Sequence, residues 1–162
     1  MAVDMFLKSE KLKGESMDKT YKDAIDVLAW SWGASNASSA HVGGGAGEGK
    51  VNVGDLSITK YVDKASAALW KMVCTGDHID EMSLIVRKAG GNPLEYITMT
   101  FHEVYVTSVS TGGSGGESKL TENIVFSFAK FTFKYVEQDE KGTKGKDFPF
   151  GWDVKANDEY KK

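Results

Sequence analysis

The chain has 162 residues, one domain's worth of length, with 20 basic against 23 acidic side chains and a net charge of −3. That mix, 27% charged and 41% hydrophobic, belongs to a folded domain, and without a basic surplus it excludes a dedicated nucleic-acid binder. Cys74 is the one cysteine, so no internal disulfide or cysteine metal cluster is possible. The N-terminal stretch MAVDMFLKSEKLKGES has no apolar run fit for a signal peptide. No stretch approaches the ~18 apolar residues of a membrane-spanning helix. These bounds imply a soluble single domain folded in a reducing compartment.

Period-2 alternation dominates and predicts strands. Residues 3–8 form the first and residues 24–33 (AIDVLAWSWG) the second. In the second, Leu28, Trp30 and Trp32 share a bulky face that belongs in a core. Ala29, Ser31 and Gly33 share a small face, readable as a solvent face or as a smooth wall toward a lumen or ligand. From Gly33 to Lys50 almost nothing invites burial. A connection of that length in a compact domain is usually either functional or disordered. Within it, Gly44–Lys50 fits GxxxxGK. However, Val51 stands where a phosphate loop needs Ser or Thr, and a strand follows where a helix should begin. The motif is therefore read as a glycine-rich arm, able to lie along another subunit.

Residues 51–61 predict a third strand, its parity shifted by one at Gly54, which marks a bulge. Asp63 predicts an N-cap, because a carboxylate there can accept the free N–H groups of a first helical turn. Ala65, Ala68, Leu69, Met72 and Val73 then follow helical spacing, and Gly76 supplies the stop. Cys74 reads as a small, partly buried hydrophobe of this helix. Residues 82–89 predict a strand ending in the turn Gly90–Pro93. Two long strands follow, about 95–110 and 121–137. Each changes parity midway, near His102–Glu103 and Ala129–Lys130. Paired switches of this kind are what a long hairpin does when it bends around a corner. Residues 137–147 read as a solvated loop and 148–154 as the last strand. The expectation from the residues is a mainly β protein, a β-barrel or sandwich with one packed α-helix at about residues 63–75.

His41, His78 and His102 have no metal-ligand spacing, and no nucleophile elbow or paired-carboxylate set appears. The residues thus predict no enzyme, cofactor or metal, save for a hydrolase whose site assembles from distant positions. A monomeric β-barrel binding module for a small ligand or partner protein remains the alternative.

Seven strings, MAVDMFLK, KGES, IDVLAWSWG, GKVNVGDLSITKYVDKAS, VRKAGG, VTSVSTGGSGGESKLTEN and FGWDVKAN, resemble the haemolysin co-regulated protein (Hcp) family of type VI secretion tube subunits. The resemblance spans about residues 1–156 as one domain and leaves 157–162 as a short charged tail. It implies a small β-barrel of two sheets with one flanking α-helix, and homohexameric rings that stack into a tube and carry effector proteins in the lumen. It also implies a spike-tip protein and a contractile sheath as partners, no nucleic acid and no membrane insertion. Such a protein is cytoplasmic before firing and is exported without a signal peptide. By the same resemblance Ala29 and Ser31 line the lumen. Val42, Gly43, Gly44, Gly45, Ala46, Gly47, Glu48, Gly49 and Lys50 form the loop that contacts the next subunit or ring.

Overall fold

The computed structural model of the chain describes residues 2–37 and 49–161. Its elements in chain order are β1 (Val3–Ser9), β2 (Ile25–Asp26), β3 (Ala29–Ser31), β4 (Ala34–Asn36), β5 (Val51–Val53), β6 (Leu56–Tyr61), α1 (Ser66–Thr75), β7 (His78–Lys88), β8 (Glu95–Thr111), β9 (Thr121–Gln138), β10 (Lys144–Asp153) and β11 (Asp158–Glu159). The protein is mainly β with one helix, as the alternation predicts.

The hairpin β8–β9 organises everything else. Its strands pair antiparallel from Ile97↔Tyr135 to Thr111↔Glu122. Along β9's other side, β6 pairs with the first half and β10 with the second. Along β8's other side, β7 pairs with the first half only, ending at His78↔Tyr105. One nine-stranded sheet therefore branches into two arms at the bend of the hairpin. The bend falls where the parity changes. Glu103 has φ 54°, a left-handed conformation that costs strain in any residue but glycine, and it sits opposite Ala129. Lys155 holds its carboxylate at 2.9 Å. The pairing keeps its register through this bend and shifts only between Val106 and Ser108, which turns Val109 inward and was not legible in the alternation.

The strand pairing does not close into a barrel. The segment expected as one strand over 24–33 is broken, because it changes partners on the way. Ile25 and Asp26 pair with β1, whereas Ala29 to Ser31 pair with β6. Between them Val27 donates to the Met5 carbonyl at 2.9 Å and Leu28 to the Thr59 carbonyl at 2.8 Å. Crossing from one arm to the other turns Leu28 out, 40% exposed, instead of into the core. Residues 51–61 are likewise two strands. Gly54 donates to the Gly33 carbonyl at 2.8 Å, and an added Cβ would meet that oxygen at 2.8 Å, so the glycine permits a close backbone crossing. Beyond the crossing, β4 and β5 form a separate two-stranded ribbon.

Between the arms lies one core, with Leu7, Leu56, Leu84, Met99, Phe101 and Phe126 each 0% exposed. Trp32 wedges into the bend, its ring centroid 5.6 Å from Phe101 and 4.8 Å from Phe131. Its indole N–H donates to the Gly54 carbonyl at 2.9 Å, so the burial leaves no orphaned donor. Helix α1 buries Leu69 and Met72 and ends at Gly76, φ 74°, whose N–H reaches the Met72 carbonyl. Its start differs from expectation. Asp63 accepts the Ala65 N–H at 2.9 Å but also holds the Lys60 ammonium at 2.9 Å, so it fixes the turn before the helix, and Ala65 is the N-cap. Cys74 lies on the helix's exposed side, not partly buried.

The expected 137–147 loop shrinks to a turn, since β10 begins at Lys144. Past residue 156 the chain returns to the sheet. Asp158 and Glu159 pair with Asp153 and Trp152, and Tyr160 donates to the Gly151 carbonyl at 3.0 Å. Loop 10–24 is pinned by Arg87, which stacks 5.0 Å from the Phe6 ring centroid and binds Asp18 at 2.5 Å and Asp4 at 3.0 Å. The Arg87 hydrogen bond, opposed in part by burial, holds the Asp18 carboxyl down at about 2. Burial, reinforced by the bond its hydroxyl donates to Glu95, pushes the Tyr21 phenol up.

Candidate functional site

The first arm of the sheet has two faces of opposite character, both set by alternation. Inward, Trp30, Ile58, Ile124 and Val109 fall on one row of pairs, with Ile58 1% and Ile124 0% exposed. Outward, the flanking rows read Ser31, Ser57, Val125, Ser108 and Ala29, Thr59, Asn123, Ser110. These eight side chains are small and uncharged. Thr59 donates to the Asn123 side-chain oxygen at 2.7 Å across the strands, and Thr107 to the Val125 carbonyl at 3.2 Å. The result is a smooth, neutral, hydroxyl-rich wall four strands wide.

Sequence reading placed Ala29 and Ser31 on a small face, and the structure places both there, exposed. It missed Ser57, Thr59, Ser108, Ser110, Asn123 and Val125. The signal was available in the polar parity of LSITKY, SVS and ENIV. Joining those segments into one surface needs the strand register, which local alternation does not contain.

A buried charge cluster anchors the end of the wall. The Lys60 ammonium is 2.5 Å from Glu122, 3.0 Å from the Tyr61 carbonyl and 3.4 Å from the Ser66 hydroxyl. Ser66 also donates to Glu122 at 2.7 Å. Because Lys60 and Glu122 face each other on β6 and β9, the cluster ties the wall to the first turn of α1.

Of the glycine-rich loop, Val42, Gly43, Gly44, Gly45, Ala46, Gly47 and Glu48 lie outside the described residues. Gly49 accepts the Asn36 side-chain amide at 2.8 Å, just beyond the β4–β5 ribbon, and Lys50 is exposed.

Among the described residues no group of three or more His, Cys, Asp or Glu side chains could hold a metal ion. His78 meets Asp80 at 3.0 Å on the exposed start of β7, close to the Tyr105 ring rather than on the wall. His102, on the second arm, packs its ring 5.5 Å from that of Tyr160. The wall presents hydroxyls, an amide and methyl groups, suited to many weak contacts with a polypeptide surface. Among the described residues no helix is long and apolar enough to cross a membrane.

The fold and the sequence are both held in common with known proteins. Residues 6–135 match the family model described as type VI secretion system effector, Hcp. Protein hcp1 of Pseudomonas aeruginosa is 52% identical over 159 residues, covering 97% of this chain and 98% of that protein. A solved structure of a type six secretion system protein superposes with a TM-score of 0.92 at 31% identity, covering 98% of this chain and all of that one. Hcp1 from Salmonella typhimurium superposes with a TM-score of 0.81 at 39% identity, covering 99% of this chain and 100% of that one. The chain belongs to the Hcp family of type VI secretion system proteins.

Proposed function

We propose that this protein is the ring-forming subunit of a type VI secretion tube and that the uncharged wall is its lumen surface. The observation that carries the reading is that wall with its two open edges. Among the described residues, Ala29–Ser31 of β3 pair on one side only with β6, and Thr107–Thr111 of β8 pair on the other only with β9. Edge strands left open in this way are templates for pairing with another chain. Two different edges meeting head to tail around a closing rotation give a ring of identical subunits.

The interior of one copy supports the same reading, because the space between its arms is occupied by buried side chains, Leu7, Leu56, Met99, Phe101 and Phe126 among them.

In this reading the subunit is structural and not catalytic. Six copies enclose the channel, and rings stack through the glycine-rich segment Val42–Lys50. Ala29 and Ser31 touch effector proteins, spike and sheath act on the finished tube, and the protein leaves the cell with it. The test is the mass of the purified protein in solution, with electron micrographs of the same sample. A particle near six times the 17.7 kDa subunit, seen as an annulus, is expected. A monomer at every concentration overturns the reading.

A further inference from the structure

The second arm of the sheet ends in an apolar face that the other described residues of one copy leave exposed. On its core side, rows of pairs run Leu84, Met99, Phe133, Phe150 and Val86, Ile97, Tyr135, Phe148. The β7 and β8 ends of these rows are buried or half-buried, but the β10 ends are not. Phe148 is 50% exposed, Phe150 49% and Tyr135 42%. The rings support one another, with Tyr135 stacked on Phe148 and Phe150 on Trp152, each at 6.3 Å between centroids. They form a rigid aromatic ridge. Contiguous exposed apolar patches of this kind mark interaction sites.

The topology says what can reach the ridge. Strand β10 and the open edge of β3 both belong to β9's flank of the hairpin, since β6 and β10 divide that flank between them. The open edge of β8 and helix α1 both belong to the other flank, where α1 packs on β8. A head-to-tail contact that brings the β3 edge of one copy to the β8 edge of the next therefore brings the ridge of the first toward α1 of the second. The outward side of α1 carries Ala67, Trp70, Lys71 and Cys74, all exposed, with Trp70 at 43%. Pro149, between the two phenylalanines, has no N–H to offer along β10's outer edge. Side chains on the face, and not added strand pairs, must then make the contact.

We propose that the Tyr135–Phe148–Phe150 ridge of one subunit receives Trp70 of the next subunit in the ring. The inference rests on the ring reading above and names the surfaces that hold the ring together outside its wall. Trp is the side chain most often found at the energetic centre of such contacts.

The experiment measures the protein concentration at which rings fall apart, by sedimentation or mass photometry. It uses the unchanged protein, Trp70→Ala, Phe148→Ser/Phe150→Ser and the triple variant, with circular dichroism to show that each still folds. Trp70→Ala alters only an exposed side chain and is expected to keep the fold. Each variant should raise that concentration at least about tenfold, one Trp contact being worth ~1.4 kcal/mol or more. The triple variant should be little worse than either parent, because both lose the same contact. Rings as stable as the unchanged protein's, in folded variants, overturn the proposal, as does simple additivity, which would mean the two patches do not meet. Another occupant of the ridge, such as an apolar segment of a different protein, would also leave ring mass unchanged and overturn it. Absence of rings in the unchanged protein sinks the ring reading itself and is recognised separately.

Discussion

Lys60 has no exposed side-chain area, and Glu122 beside it has 1%. Nothing in LSITKY marks this lysine as buried. In the alternation it falls on the inward parity with Leu56 and Ile58, where a charge looks like an error. It is tolerated because two carboxylates, a hydroxyl and a carbonyl converge on one ammonium. Removing one member of a buried ion pair leaves the other charged and unsolvated. Lys60→Met should therefore destabilise the fold by about 3–5 kcal/mol in urea titrations. Lys60→Met/Glu122→Leu should recover most of that loss. A single variant as stable as the parent would show that the cluster is not what anchors the wall.

Asp18 gives a pH dependence with a definite sign. Its folded value lies near 2, below the ordinary 3.8, chiefly because Arg87 donates to it. A depressed carboxylate contributes stability that is present above the unfolded value and is lost as pH falls through the folded one. The melting temperature should fall between about pH 4 and pH 2 as Asp18 protonates and loop 10–24 loses its anchor. Asp18→Asn should start lower at pH 6 and change less across that window. Equal slopes in the two proteins would assign the acid sensitivity elsewhere. At this scale the sequence said little, because Asp4, Asp18 and Arg87 are brought together by packing and not by spacing.

Secondary structure was far more legible. The long hairpin, its bend near Glu103, the helix stop at Gly76 and most strand positions follow from parity and turn chemistry. The failures fall where a segment changes partner. Residues 24–33 alternate well enough to look like one strand, yet local pattern carries no information about which neighbour a strand pairs with. The C-terminal strap is a similar case. Read from the sequence, 157–162 is a short charged tail, but β11 fastens it to β10. Gly151 makes that possible, since a Cβ there would lie 2.1 Å from the Tyr160 carbonyl oxygen. Gly151→Ala should displace the strap while sparing β8 and β9. Hydrogen exchange at Tyr160 should lose its protection, with the amides of β9 unchanged. Retained protection at Tyr160 would mean that the strand pair tolerates the added carbon.

For the molecule as a whole, the family was legible from seven strings of sequence, and the mainly β architecture with one helix from the alternation. The wall was legible only in part, at Ala29 and Ser31, because its other members lie on three strands far apart in the chain. Its chemistry leads to the final prediction. None of the eight wall side chains is charged, so an effector held against it gains from contact area and hydroxyl hydrogen bonds repeated around the ring, each weak and summed by avidity. Ser31 heads an outer row, at the open β3 edge, with its side chain directed away from the core. Ser31→Gln should leave ring mass unchanged, because the longer side chain extends into the channel. It should reduce effector retention in a pull-down, because it lifts the cargo off the neighbouring small residues in all six copies. Retention by the unchanged ring should also survive a rise from ~0.1 M to ~1 M salt, which shrinks the screening length from ~10 to ~3 Å and weakens exposed charge pairs but not neutral contacts. Normal retention by assembled Ser31→Gln rings would remove this face as the cargo surface, and release by salt alone would point to charged residues beyond the wall.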